Sequence, residues 1–243
     1  MLTKQLLKRF FSRHENNTAL AHSSYKSLGG VEGGPQTVVD ALWESYETLL
    51  FPTYNFHSWT EQHYFDIDET PSEMGIITEM ARRDERFSRT RHPVHNFAVS
   101  GPMQEYYCNL GAKCSLGPFT PLQKVLDDNG MMISIGLDWN DSFTMIHQIE
   151  YAKLVDYRRI KSFSGIMVDD KGARIKSYSM YARRYFDGVT VEVRPAMEKL
   201  LDIGIIERHF LGRAVIHIVP RVKEFAKVLA DIIDENPRML YTT

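Results

Sequence analysis

Residues 18–46 read TALAHSSYKSLGGVEGGPQTVVDALWESY. Thr18–His22 is short, apolar and followed by turn formers, which is the pattern of a buried strand. The next twelve residues hold four glycines, Gly29, Gly30, Gly33 and Gly34, so the loop has wide backbone freedom. Pro35 suits a first helical position and predicts a helix to about Tyr46. A second strand is predicted over Thr48–Phe51. Outward from this strand–loop–helix–strand unit, Leu2, Leu6, Leu7 and Phe10 fall at helical spacing. Thr70-Pro71-Ser72-Glu73 resembles a helix start, with the helix reaching about Arg83. Helices are also predicted after Gly101-Pro102, after Thr120-Pro121, over Ser142–Leu154 and over Val222–Asp234. Strands are predicted over Met131–Ile135, Ile175–Tyr181, Ile205–Phe210 and Ala214–Val219. Interleaved strands and helices imply an α/β or mixed α+β class. One compact domain over residues 1–243 is expected, with a subdomain opening near Arg158.

Composition narrows the function. The chain has 243 residues with Lys+Arg 29 against Asp+Glu 31, a net charge of −2. That balance argues against broad nucleic-acid binding, which needs a basic face. No stretch approaches the apolar length of a membrane span. The N-terminal MLTKQLLKRFFSRHENN is basic and amphipathic but lacks a long apolar core and a small-residue cleavage site, so it reads as a helix and not a signal peptide. A cytoplasmic location is the resulting expectation. Cys108 and Cys114 make neither a disulfide framework nor a paired zinc motif, and both read as inert. Oligomeric state is left open, and a homo-oligomer is compatible with the composition.

Nine histidines are the most suggestive feature. His92-Pro93-Val94-His95 would seed a metallohydrolase site, but the pair straddles a proline and not a regular helix face. His147 and Glu150 are three apart, so on a helix they share a face, and a carboxylate there can orient an imidazole as a base. The glycine-rich loop has the backbone freedom to cradle phosphates. It matches neither GxGxxG nor a Walker motif, which removes support for a dehydrogenase or a nucleotide hydrolase.

His22-Ser23-Ser24, Leu28-Gly29, Gly33-Gly34, Thr37 and Ala41-Leu42 resemble the opening motif of the aminoglycoside 3-N-acetyltransferase family. The resemblance continues in order through Pro52-Thr53, Thr70-Pro71-Ser72-Glu73-Met74-Gly75, Arg91-His92-Pro93-Val94-His95, Gly101-Pro102, Gly136, His147 with Glu150, Tyr157-Arg158-Arg159 and Gly212-Arg213-Ala214. It runs from about Ala19 to Leu240. It implies a mixed α/β fold distinct from the GNAT acetyltransferases, and acyl transfer from coenzyme A to a sugar amine without a metal.

On that footing His147 is the expected base, oriented by Glu150 or Asp141. Backbone N–H groups of Ser23–Ser24 or Gly29–Gly34, His95, or the Asn140 amide are expected to face the developing oxyanion. Ser23, Ser24, Lys26, Gly29, Ser72, Met74, Gly75, Arg89 and Arg91 are expected around coenzyme A, with the Thr70–Gly75 segment presenting a helix N-terminus to it. Tyr54, Phe56, His57, Trp59, Trp139, Arg158 and Arg159 are expected around the acceptor.

Two positions depart from the antibiotic-modifying enzymes, which commonly carry Asn-Thr where Phe143-Thr144 stands here and a glycine-bearing turn where Glu47-Thr48 stands. The basic clusters Arg158-Arg159-Lys161 and Arg183-Arg184, with several aromatics, favour an anionic acceptor that brings a base to stack on. The expectation is therefore a nucleotide-linked, dTDP-type amino deoxysugar of surface polysaccharide synthesis, taking an acetyl or larger acyl group. A free aminoglycoside is the alternative.

Overall fold

The computed structural model describes residues 1–243, Phe186 by its backbone alone. The chain runs α1 (Lys4–Phe11), β1 (Thr18–Ser23), α2 (Pro35–Trp43), β2 (Thr48–Pro52), α3 (Phe56–Thr60), β3 (Tyr64–Asp66), α4 (Ile76–Arg83), β4 (Ser88–Arg89), β5 (Phe97–Ser100), α5 (Gln104–Cys108) and α6 (Pro121–Asp127). It continues through β6 (Met131–Ile135), α7 (Trp139–Ser142), α8 (Met145–Ala152), β7 (Arg158–Asp169), β8 (Gly172–Arg183), β9 (Thr190–Val191), α9 (Arg194–Asp202), β10 (Glu207–Leu211), β11 (Ala214–Val219), α10 (Val222–Glu235) and β12 (Tyr241–Thr242).

Seven strands form the central sheet in the order β10-β11-β6-β1-β2-β5-β4. The middle three, β6, β1 and β2, are parallel, and antiparallel strands extend both sides. All six residues of β1 and all five of β2 and β6 are buried, as expected for parallel strands covered on both faces. Ala19, Ala21, Leu49 and Phe51 pack with α1, α2 and α4 on one face. Leu20, Leu50 and Met132 pack with α6, α8 and α10 on the other. This is the mixed α/β class expected from the sequence, and the α1, α2, α6 and α10 segments form where their apolar spacing and opening prolines predict.

The glycine-rich loop serves the fold. Gly29 has φ +77°, and a Cβ there would lie 2.7 Å from the Arg213 side chain. The loop clasps the N-terminus, with Leu2 N–H donating to Gly30 O and Glu32 N–H to Leu2 O.

Several elements differ from expectation. Residues 158–183 form two twelve-residue strands paired from Arg158↔Arg183 to Asp169↔Gly172, and β3 joins β7 in a separate three-stranded sheet. Only the second strand was legible, because one hairpin face is solvated serines with exposed isoleucines, such as Ile175 at 81 % exposure. The other face carries Phe163, Met167, Tyr178 and Met180 against Trp59 and Phe65. Trp59, expected at the acceptor, is therefore a core residue. The helix expected over Ser142–Leu154 is split at Phe143-Thr144 into α7 and α8, and the one expected from Thr70 begins at Ile76. β5 was not predicted, since four residues are too few to show a period. α9 was not predicted either, since only Ala196, Met197 and Leu200 of it are buried.

Among the described residues, no helix is long and apolar enough to cross a membrane. Both cysteines are free, and burial pushes the Cys108 thiol up to about 11, which leaves it unreactive.

Candidate active site

In open sheets with helices on both faces, ligands bind outside the carboxyl ends of the parallel strands, where successive connections diverge. Here β1 is that divide, with β2 on one side and β6 on the other. A cleft of 490 Å³ opens at these ends, lined by His22 and Ser23 from the end of β1, Pro52 at the end of β2 with Tyr54 beyond it, and Leu137, Trp139, Asn140 and Asp141 after β6. Phe143, Thr144 and His147 of the α7–α8 region and Arg158, Tyr181 and Arg183 of the long hairpin complete it.

His147 and Glu150 sit one turn apart on α8, which brings their side chains together. His147 Nδ1 lies 2.7 Å from Glu150 Oε2. Tyr157 donates its hydroxyl to Glu150 Oε1 at 2.9 Å, and Arg158 Nε stands 2.7 Å from Oε2. Arg158 Nη2 is also 2.7 Å from His147 Nδ1. That nitrogen cannot both donate to the carboxylate and accept from the guanidinium. Donation to Glu150 leaves both buried charges paired, so Nδ1 carries the proton and Nε2 keeps its lone pair on the cleft side.

Burial, then the Arg158 cation, pushes His147 down to about 4, against the opposing pull of Glu150. Burial alone would raise the Glu150 carboxyl, but His147, Arg158 and the Tyr157 hydrogen bond outweigh it and hold it below the usual range. The pair is thus a neutral imidazole on an ionised carboxylate at neutral pH.

Neighbouring elements fix this helix. His22 Nε2 meets Thr144 Oγ1 at 3.1 Å, tying the end of β1 to the residue that precedes α8. Burial pushes His22 down to about 3, so it stays neutral. Phe143 packs against Trp139 and Phe225. Trp139 stacks on His217 with centroids 3.9 Å apart. His95 is buried between Tyr54 and Phe56, its Nδ1 3.4 Å from Ser115 O, and burial holds it well below its ordinary value.

The structure brings His147, His95, Asn140, Asp141, Ser23, Met74, Tyr54, Phe56, Trp139 and Arg158 to the cleft, with Glu150 directly behind His147. It does not bring the others. Asp141 lines the cleft, but Glu150 alone holds the imidazole. The Asn140 carbonyl accepts from Val193 N–H at 3.0 Å. The loop N–H groups of Ser24 and Gly29 already donate to Ile135 O and Lys26 O, so they are not free oxyanion donors, and Lys26 is exposed outside the cleft. Ser72 is bound to Glu79, Thr78 and Met74, Gly75 is exposed, and Glu73 caps α3. The Thr70–Gly75 segment therefore reaches the cleft through Glu73 and Met74, with Thr78 of the first turn of α4 beside them. His57 pairs with Glu61 in solvent, and Arg159 points away from Arg158 because neighbours on a strand alternate.

Arg89 and Arg91 line a different, polar hollow of 760 Å³. Its arginines are spent: Arg82 and Arg83 on Glu79, and Arg91 on Asp169 and Asp170. The buried Arg89 guanidinium donates to Thr70 O, Thr53 O, Asn55 and Asn96. Arg89→Met would strand those buried acceptors, and a loss of about 3 kcal/mol in urea unfolding is expected.

The sequence reading assigned His22, Thr144 and Tyr157 no role in the site and offered Arg183 only as part of a basic cluster. Strand register is the signal for one of them: Arg183 pairs with Arg158 across the hairpin. Its Nη2 lies 3.4 Å from His147 Nε2, its Nε is buried without a partner, and it has no carboxylate within ion-pair distance among the described residues.

A family model described as aminoglycoside 3-N-acetyltransferase matches residues 20–231. The SPbeta prophage-derived aminoglycoside N(3')-acetyltransferase-like protein YokD of Bacillus subtilis (strain 168) is 27% identical, over 59% of this chain and 61% of that protein. Aminoglycoside N(3)-acetyltransferase IV of Salmonella sp is 27% identical, over 64% of this chain and 60% of that protein. The chain thus spans about three fifths of the length of these curated relatives. Among solved structures, aminoglycoside acetyltransferase AAC(3)-IIb superposes with TM-score 0.84 at 17% identity, covering 97% of this chain and 98% of that one. AAC-IIIb in a binary complex with CoASH superposes with TM-score 0.79 at 16% identity, covering 96% of each. These likenesses establish a shared fold, distinct from GNAT.

Proposed function

The chain belongs to the aminoglycoside 3-N-acetyltransferase family, and on that premise we propose that it transfers an acyl group from coenzyme A to the amino group of an amino sugar. The observation that carries this reading is His147, tied through Nδ1 to the buried Glu150, in a cleft at the strand ends with Arg183 beside Nε2. A thioester donor supplies an activated acyl carbon and a thiol leaving group. His147 Nε2 takes the proton of the attacking amine as the C–N bond forms and returns it to the departing sulfur. Glu150 holds the imidazole in the tautomer this needs and stabilises the transient imidazolium.

The cleft suits the thioester end of the donor. Pro52, Phe56, Met74 and Ile146 offer apolar surface to a pantetheine arm. Ser23 Oγ and His22 Nδ1 are buried polar atoms without partners, free to meet an amide or carbonyl.

An aminoglycoside acceptor is the reading that the relatives' names support. A second reading rests on Arg183. With His147 neutral, Arg158, Arg183 and Glu150 sum to one net positive charge beside the base. Glu73 and Asp141 on the same cleft wall bring that sum to net negative, so the Arg158–Arg183 edge offers local cations to a phosphate without excluding a polycation, and it is that edge that supports an acceptor such as a nucleotide-linked amino sugar. Calorimetric titration with coenzyme A tests the donor, with binding expected in the micromolar range; no binding would sink the acyl-transfer reading. Acyl transfer to kanamycin and to a dTDP-linked amino sugar, by wild type and Arg183→Gln, separates the acceptors. A phosphate-bearing acceptor should lose about tenfold or more in kcat/KM on that change, whereas an aminoglycoside should keep or gain turnover.

A further inference from the structure

We propose that His14, Glu207 and His209 form a binding site for a first-row transition-metal dication such as Zn²⁺, remote from the cleft. His14 Nδ1 lies 3.6 Å and His209 Nε2 2.9 Å from the same Glu207 Oε2. All three ligand atoms fall within 4.8 Å of one another. Tetrahedral zinc with N and O ligands sets neighbouring donors roughly 3.3 Å apart, and three protein ligands plus a water is an established coordination set.

The arrangement is built by the fold. Glu207 and His209 are two apart on β10, so they share one face of the strand. Arg208 between them points the other way, toward His217. His14 arrives from the turn that ends α1, its N–H donating to Phe11 O. Phe10 packs edge-on against His209 and also touches the His14 ring, and the two imidazoles stand 5.1 Å apart. The side chains of His14, Glu207 and His209 are 14, 40 and 34 % exposed, which admits an ion and leaves room for a water ligand.

Strand register separates this site from the cleft. His209 pairs with Ile216, and Ile216 with Ile135, on the face packed under α1. His22, Ser134 and His217 face the opposite side, where Trp139 stacks on His217. β10 is also an edge strand. A metal here would staple the N-terminal helix to the edge of the sheet and would take no part in acyl transfer.

The test is calorimetric titration of the metal-free, full-length chain with ZnCl₂, and Co²⁺ visible absorption as a report on coordination geometry. Wild type, His14→Ala and His209→Ala are compared after circular dichroism shows equal secondary structure. One equivalent of Zn²⁺, a tetrahedral Co²⁺ spectrum and a Kd weakened about tenfold or more in each variant are expected. Absence of binding by wild type, or an unchanged Kd in both variants, would overturn the proposal. His209→Gln, which keeps volume without the imidazole, replaces His209→Ala if the latter does not fold, and is expected to show the same loss.

Discussion

His147→Ala is expected to lower kcat for acyl transfer by about 10²–10⁴-fold and to leave the Kd for coenzyme A within experimental error. The imidazole is the only neutral base in the cleft with its distal nitrogen tied to a carboxylate among the described residues, and nothing beside it can assume the role. His95 is packed between Tyr54 and Phe56, and His22, held to Thr144 through Nε2, has no carboxylate behind it among the described residues. Steady-state kinetics together with calorimetry check this. Near-normal kcat would remove His147 as the base, and a lost Kd would move its role to binding. The pH profile of wild type adds a second check. Corrected for the free-amine fraction of the acceptor, kcat/KM should show its acid limb near His147's pKa of about 4 and not near 6.5. Arg183→Gln removes a neighbouring cation, so the limb should move to higher pH.

Glu150→Gln is expected to be the most destabilising single change in the cleft, by about 3–5 kcal/mol in urea unfolding. Glu150 is buried and is the only carboxylate paired with the buried Arg158 among the described residues. Neutralising it leaves a cation out of water with a single backbone acceptor, Tyr181 O. Turnover should fall as well, since the amide no longer stabilises the imidazolium. A companion variant separates the two effects: Glu150→Gln with Arg158→Met should regain most of the stability, because a buried pair replaced as a whole costs little, while activity stays low. Failure of the double variant to regain stability would mean that Arg158 is not what Glu150 neutralises. The sign of the pH dependence follows from the lowered carboxyl: its contribution is present above the ordinary carboxylate range and is lost as pH falls through the folded-state value.

His147 and Glu150 were legible in the sequence because a helix places residues three apart on one face whatever surrounds it. The central strands were legible for a similar reason: runs such as Ala19–Ala21, Leu49–Phe51 and Met131–Ile133 are apolar without a break, as parallel strands covered on both faces tend to be. Arg89 and Trp59 were misplaced for the opposite reason. An arginine in a chain expected to bind coenzyme A looks like a phosphate ligand until the fold surrounds it with Thr70, Thr53, Asn55 and Asn96. A tryptophan in an aromatic segment looks like a stacking surface until the far hairpin covers it.

The sequence by itself determined the class of fold and the pairing of His147 with Glu150 from residues near one another in the chain, and the family from short motifs in a fixed order along nearly all of it. Only the tertiary structure decided which cations reach the cleft and which are spent elsewhere. It also showed that the glycine-rich loop clasps Leu2 and that Arg183 lies beside His147. The loop clasp and the place of Arg183 depend on the register of a twelve-residue hairpin and on contacts between segments about thirty residues or more apart. The physical reason is that a charge acquires its role from its partners, and long-range packing alone chooses them.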